Sequence, residues 1–185
     1  MKYFSKILRG NIYLSPLNTE DFEILTKWLN DNRISDWVNN TKAILSLTSE
    51  KTFLENISRN EDQTIKALAI IKKEGDKFLW IVDLSKINYI DQIATIWISI
   101  WDFEEHNKWY GTDAINAILS FAYNTLNLYN VYFKVKSFNK KAIACYKKVW
   151  FQEIGTMHHC QYCNGEWHDM VIMEMLKPDW LEKNK

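Results

Sequence analysis

The stretches KWYGTDAINAILSFAYNTL (108–126), VYFKV (131–135) and FNKKAIACYKKVWF (138–151) decide how this chain folds. In the first, Ala114, Ile115, Ile118, Leu119, Ala122 and Leu126 recur at spacings of three and four, which predicts an amphipathic helix over Thr112–Leu126. Val131–Val135 is a short β-branched and aromatic run and predicts a strand. Lys140–Lys148 predicts a second, short helix with Asn139 at its N-cap. Just upstream, Ala94–Ile100 predicts another strand. Strand, helix, strand in that order predicts that the two strands run parallel, because a helical crossover is the usual link between parallel neighbours. They are expected to splay apart at their C-terminal ends.

Working outward, Ile12–Leu17 predicts a strand ending at Pro16. Asn18-Thr19-Glu20-Asp21 opens a helix carrying Phe22, Leu25, Trp28 and Leu29 on one side. Thr48-Ser49-Glu50 opens another, over Ser49–Arg59. Lys66–Ile71 and Phe78–Leu84 bracket a Gly75-Asp76 turn, and Phe151–His159 and Met170–Leu176 are joined through Asn164-Gly165. No repeat or Pro/Gly-rich linker interrupts the chain. The expectation is one domain over residues 1–185, of α/β (α+β) class, with a mixed sheet of six or seven strands and helices on both faces.

Composition narrows the function classes. Lys+Arg and Asp+Glu both total 23, so no global charge points to nucleic acid or a membrane surface. The N-terminus lacks a signal-peptide core, and no apolar run reaches membrane-spanning length, which places the expected location in the cytoplasm. Three cysteines do not make a disulfide framework. Two counts are abnormal: glycine is 5 of 185, against a usual share of roughly 7%, and tryptophan is 9.

The strand, the loop over 101–110 and the helix starting near Gly111-Thr112 form the arrangement in which helix-start amides hold a phosphate. An ordinary strand-to-helix turn has the same spacing. The downstream residues Asn139, Ala142, Ile143, Tyr146, Trp150 and Phe151 add a more specific pattern. Their spacing resembles the Asn-x-x-Ala-Ile-x-x-Tyr-x-x-x-Gly-Phe motif of the GNAT N-acetyltransferases of the ribosomal-protein and polyamine acetyltransferase type. His106, Trp109 and Gly111 fall on that family's Arg/Gln-x-x-Gly-x-Gly/Ala loop. Pro16-Leu17, the segment Trp28–Asp31, and Asn164, Gly165 and Asp169 fit it as well, so the resemblance spans about Gly10 to Trp180.

The resemblance implies the GNAT acyl-CoA N-acyltransferase fold and acetyl-CoA as co-substrate, with no metal. Backbone groups of Ile98, Ser99 and Ile100 would hold the pantetheine arm. Amides of His106, Asn107, Lys108, Trp109, Tyr110, Gly111 and Thr112 would hold the pyrophosphate. Asn139 would contact the cofactor near its reactive end, and Tyr146 would protonate the leaving thiolate, a role that suits a phenol. Without the resemblance, Asn139 reads as a helix cap and Tyr146 as core. Many relatives carry a glutamate base where this chain has Thr95, which cannot be that base. Asp83, Glu104, Glu105 and His106 are nearby in sequence only. The implied acceptor is a primary amine: first a protein N-terminal α-amine, second a small polyamine, amino sugar or aminoglycoside. A homodimer is allowed. The rival is a non-catalytic GNAT-fold binding protein. Asp21, Glu23, Asp31 and Asp36 lie where acceptors usually bind, too sparsely to decide between substrates.

The resemblance also implies glycine at five positions that carry tryptophan: Trp80, Trp97, Trp101, Trp109 and Trp150. One cause would account for both abnormal counts, namely UGA codons, which some bacterial lineages read as glycine. The alternative is a divergent chain with a filled cofactor groove. UGG at these five codons would exclude the first reading. A Trp at position 150, after the Lys140 helix, is expected at positive φ, where glycine normally sits. Finally, His158, His159, Cys160 and Cys163, with His168 nearby, have some of the spacing of a zinc site. No second Cys-x-x-Cys follows, and strand alternation sends Cys160 and Cys163 to opposite faces.

Overall fold

A computed structural model describes residues 2–31, 34, 44–98, 110–163 and 165–184. Eight strands form one sheet in the order β1-β2-β3-β4-β5-β6-β8-β7. They are β1 (Ile7–Arg9), β2 (Ile12–Ser15), β3 (Lys66–Lys72), β4 (Lys77–Asn88), β5 (Ile93–Ile98), β6 (Asn130–Lys136), β7 (Gln152–Cys163) and β8 (Glu166–Leu176). The helices are α1 (Phe22–Leu29), α2 (Leu47–Ser58), α3 (Tyr110–Ser120), α4 (Lys140–Lys148) and α5 (Lys177–Lys183). The sheet is larger than the six or seven strands expected, because the chain before Ile12 turns back as β1. Three residues of periodicity are too few to read from sequence; the turn at Gly10-Asn11, with Gly10 at φ +47, makes the hairpin. The hairpin of β7 and β8 also runs further than expected, closing on the pair Cys163↔Glu166 with Gly165 at φ +84. Helix α2 starts earlier than expected. Ser46 caps it, accepting from the Ser49 amide at 3.0 Å while Ser49 Oγ accepts from the Ser46 amide at 3.0 Å.

Every neighbouring pair is antiparallel except β5 with β6, which are parallel as expected. Helix α3 is the crossover between them. Its Ala114, Ile115, Ala117, Ile118 and Leu119 are buried against Leu84 of β4, Ala94 of β5 and Val131 of β6. A π-helical turn over Phe121–Thr125 extends it, and the Tyr123 hydroxyl donates to the Met175 carbonyl at 2.6 Å, tying the helix end to β8. At its other end the Asp113 carboxylate accepts from the Asn11 amide at 3.2 Å. A Cβ at Gly10 would lie 2.0 Å from Asp113 Oδ2, and the residue's φ of +47 also favours glycine, so a larger residue there would displace the Asp113 carboxylate and strain the turn. Helices α1 and α2 pack on β4 through Leu25, Leu54, Trp80 and Ile81, in a cluster separate from the α3 core.

Candidate active site

The parallel ladder is short. Its last pair is Thr95↔Tyr132, yet β5 continues to Ile98 and β6 to Lys136. Beyond that pair β5 stays bonded to β4 (Val82↔Ile98) and β6 to β8 (Lys136↔Met170), but not to each other. The two strands therefore part at their C-terminal ends, as expected. The edges facing the gap carry backbone N–H and C=O groups with no partner in the sheet, and such groups need one. An extended arm bearing amides, as pantetheine does, can supply it. Of the residues assigned to hold the cofactor, Ile98 lies on this edge, and Tyr110, Gly111 and Thr112 lie in the first described turn of α3. Ser99, Ile100, His106, Asn107, Lys108 and Trp109 lie outside the described residues, as does Trp101.

Tyr146 stands beside the β6 edge of this gap. Its ring centroid is 4.0 Å from that of Phe133 on β6 and 5.9 Å from that of Phe151. Its hydroxyl has no hydrogen-bond partner among the described residues. Burial, with a smaller contribution from neighbouring Cys145, pushes the phenol above its ordinary pKa, so it stays protonated through the physiological range. Cys145 is also pushed up by burial, partly offset by the neighbouring Thr112 hydroxyl and the Lys148 charge. Asn139 caps α4, its Oδ1 accepting from the Ala142 amide at 3.1 Å. The cap commits that oxygen to the helix.

The end of α4 sets the position of Tyr146. The Phe151 amide donates to the Tyr146 carbonyl at 3.1 Å and the Trp150 amide to the Lys147 carbonyl at 3.1 Å. That is a Schellman closure with Trp150 at the glycine position, and Trp150 takes φ +72, as expected. A β-carbon there costs about 1–2 kcal/mol. The indole recovers part of this, since Lys183 Nζ sits 4.6 Å from its centroid and the ring is half exposed. Trp150→Gly should raise stability by about 1 kcal/mol, read as a higher midpoint in urea at unchanged slope. The other two described tryptophans of the set behave differently. Trp80 is 1% exposed, with centroids 5.2 Å from Trp28 and 6.4 Å from Trp97, and neither it nor Trp97 has positive φ.

The face of the sheet on which α1 and α2 pack carries a second group of polar residues beside the gap. Asp83 lies opposite Trp97, and Ser85 opposite Thr95, so all four side chains share one face. Ser85 Oγ and Thr95 Oγ1 are 3.0 Å apart. Asp83 is part-buried with no ion-pair partner among the described residues. Burial pushes its carboxyl up to about 6, against a smaller opposing effect from a Ser85 hydrogen bond. Sequence reading placed Asp83 near the site only along the chain. The i, i+2 spacing of Asp83 and Ser85 carried the signal, but it needed the β4–β5 register to mean anything. Of the early acidic residues, Asp21 is buried, accepts from the Tyr3 hydroxyl at 2.8 Å and pairs with Lys2 at 2.8 Å. Glu23 is exposed, and Asp36 lies outside the described residues.

On the β7–β8 hairpin, His158 Nδ1 is 3.1 Å from Asp169 Oδ2, and the His159 amide donates to Asp169 Oδ1 at 2.8 Å. Both contacts hold the Asp169 carboxyl below its usual range. Among the described residues no group of three or more His, Cys, Asp or Glu is placed to hold a metal ion.

Comparison with known proteins adds three findings. The family model for the acetyltransferase (GNAT) domain matches residues 14–172. A spermidine N(1)-acetyltransferase of Vibrio cholerae is 26% identical over 161 residues, covering 84% of this chain and 92% of that protein. One from Escherichia coli strain K12 is 28% identical over 116 residues, 63% of this chain and 61% of that protein. Among solved structures, the Vibrio cholerae spermidine N-acetyltransferase in complex with CoA and spermine superposes with TM-score 0.82 at 23% identity, over 92% of this chain and 98% of that one.

Proposed function

This chain belongs to the GNAT acetyltransferase family, and from that premise we propose that it moves an acetyl group from acetyl-CoA to a primary amine of a small polyamine. The observation that carries the transfer reading is the gap between β5 and β6 with the protonated Tyr146 phenol at its edge. Support for the polyamine comes from the spermidine acetyltransferase matched over 84% of the chain. The sequence had ranked a protein N-terminal amine first; no relative reported above acts on one, so the polyamine takes its place. A cytoplasmic, single-domain protein is part of the same reading, and so is self-association, since a Vibrio cholerae relative has a dodecameric structure.

In this reading the edges of β5 and β6 hold the pantetheine arm, and the first turn of α3, with Gly111, receives the pyrophosphate. The Asp113 carboxylate, which would repel a phosphate there, is turned to the Asn11 amide instead. The amine attacks the acetyl carbonyl directly. A C–N bond forms, the C–S bond breaks, and Tyr146 gives its proton to the departing sulfur. The phenol recovers a proton from the nitrogen through solvent.

Two measurements test this. Acetyl-CoA should raise the melting temperature in a saturable way, because a ligand that binds only the native state stabilises it. With acetyl-CoA present, spermidine should yield free CoA thiol and an acetylated polyamine of matching mass. Binding without transfer to spermidine, spermine or a peptide amine would favour the non-catalytic reading.

A further inference from the structure

We propose that Asp83 is the proton acceptor for the incoming amine, reached through the hydroxyls of Ser85 and Thr95. The inference rests on the transfer reading above, and it supplies the base that Thr95 cannot be. Thr95 is the last residue of β5 paired to β6, so its side chain stands where the gap begins. Its hydroxyl is 3.0 Å from that of Ser85 and also donates to the Ser85 carbonyl at 3.0 Å, so passing a proton on requires the Thr95 hydroxyl to turn from that carbonyl to the Ser85 hydroxyl. Asp83 lies two residues from Ser85 along β4 on the same face, and the Ser85 hydroxyl acts on its carboxyl. A row of polar groups on one face thus leads from the mouth of the gap toward a carboxyl that no cation among the described residues neutralises. The flanks of this row are apolar: Ala67 lies opposite Asp83 on β3 and Trp97 opposite it on β5.

The proton balance is complete. An ammonium group releases one proton along the hydroxyls to the Asp83 carboxylate, and the neutral amine attacks. Asp83 later returns that proton to solvent, so the net products are amide, free thiol and one proton. A carboxyl pushed up to about 6 by burial is matched to this task, since a base works best with its pKa near the working pH. The groups facing it from β3 and β5 do not titrate, and no charged side chain contributes to its shift. Glu50, on the inner side of α2, has its own carboxyl raised by burial alone.

The test compares wild type with Asp83→Asn. Asparagine keeps the shape and removes the charge. We expect kcat/KM for spermidine to fall by about 10²–10⁴-fold, with acetyl-CoA affinity unchanged and the acid limb of the pH profile near 6 abolished. Ser85→Ala and Thr95→Val should give smaller losses and keep that limb. A readout independent of turnover is stability against pH. The folded-state pKa is raised, so the folded protein keeps a proton that the unfolded chain loses, and the contribution of Asp83 falls as pH rises from about 4 through about 6. Asp83→Asn should therefore melt higher than wild type at pH 8 and no higher at pH 4. An Asp83→Asn enzyme with near wild-type turnover and an intact acid limb overturns the proposal. A wild type that binds acetyl-CoA but acetylates no primary amine overturns the transfer reading itself, and Asp83 as acceptor with it.

Discussion

Tyr146→Phe lowers kcat by about 10²–10⁴-fold and leaves acetyl-CoA affinity and melting temperature unchanged. The substitution removes one hydroxyl and keeps the ring, so the contacts with Phe133 and Phe151 persist. The hydroxyl has no hydrogen-bond partner among the described residues, so its loss leaves no protein group unsatisfied. Burial holds the phenol protonated, which is the state needed to donate. The check is steady-state kinetics beside a thermal titration with acetyl-CoA. Loss of affinity in parallel with turnover would assign Tyr146 to packing around the cofactor. Unchanged turnover would remove it from the reaction altogether.

Trp80→Gly destabilises the protein by about 3–5 kcal/mol, the range for deleting a buried tryptophan or phenylalanine side chain. The indole is 1% exposed and packs with Leu25, Leu54 and Ile81 where α1 and α2 meet β4. Trp28 stacks on Phe78 and packs at a tilt against Trp80 in this layer, so the cavity would open at its centre. Glycine within a strand adds a backbone penalty of roughly 0.5–1 kcal/mol. Chemical denaturation of the two chains measures the difference. The opposite sign is informative too: a more stable Trp80→Gly protein would mean that the indole strains this layer and does not fill it. Trp150, by contrast, takes the left-handed conformation that glycine favours, so the two positions need not share an explanation.

Much of the architecture was readable along the chain because it rests on local signals. The periodicity of Thr112–Leu126 and the strand runs on either side imply a parallel crossover, and β5 and β6 are indeed the parallel pair. The motif ending at Trp150-Phe151 placed a helix C-terminus at Val149 and a positive φ at position 150, both of which are present. Backbone conformation over a few residues is dictated by those residues themselves. The sequence also determined that Asn139 caps α4, since a cap and its target amide lie three residues apart.

What only the tertiary structure decided involves residues far apart in the chain. Whether Ser85 meets Thr95 on the face that carries Asp83 depends on the register between β4 and β5. A slip of one residue would send Ser85 and Asp83 to the opposite face. Likewise, the pairing of Asp21 with Lys2 and its hydrogen bond from Tyr3 depend on where the N-terminal segment returns, and the close approach of Gly10 to Asp113 joins residues far apart in the chain. Such pairings are selected by how whole surfaces bury one another. No short window of residues contains that information, because the packing energy that chooses the register is summed over both strands and the helices that cover them.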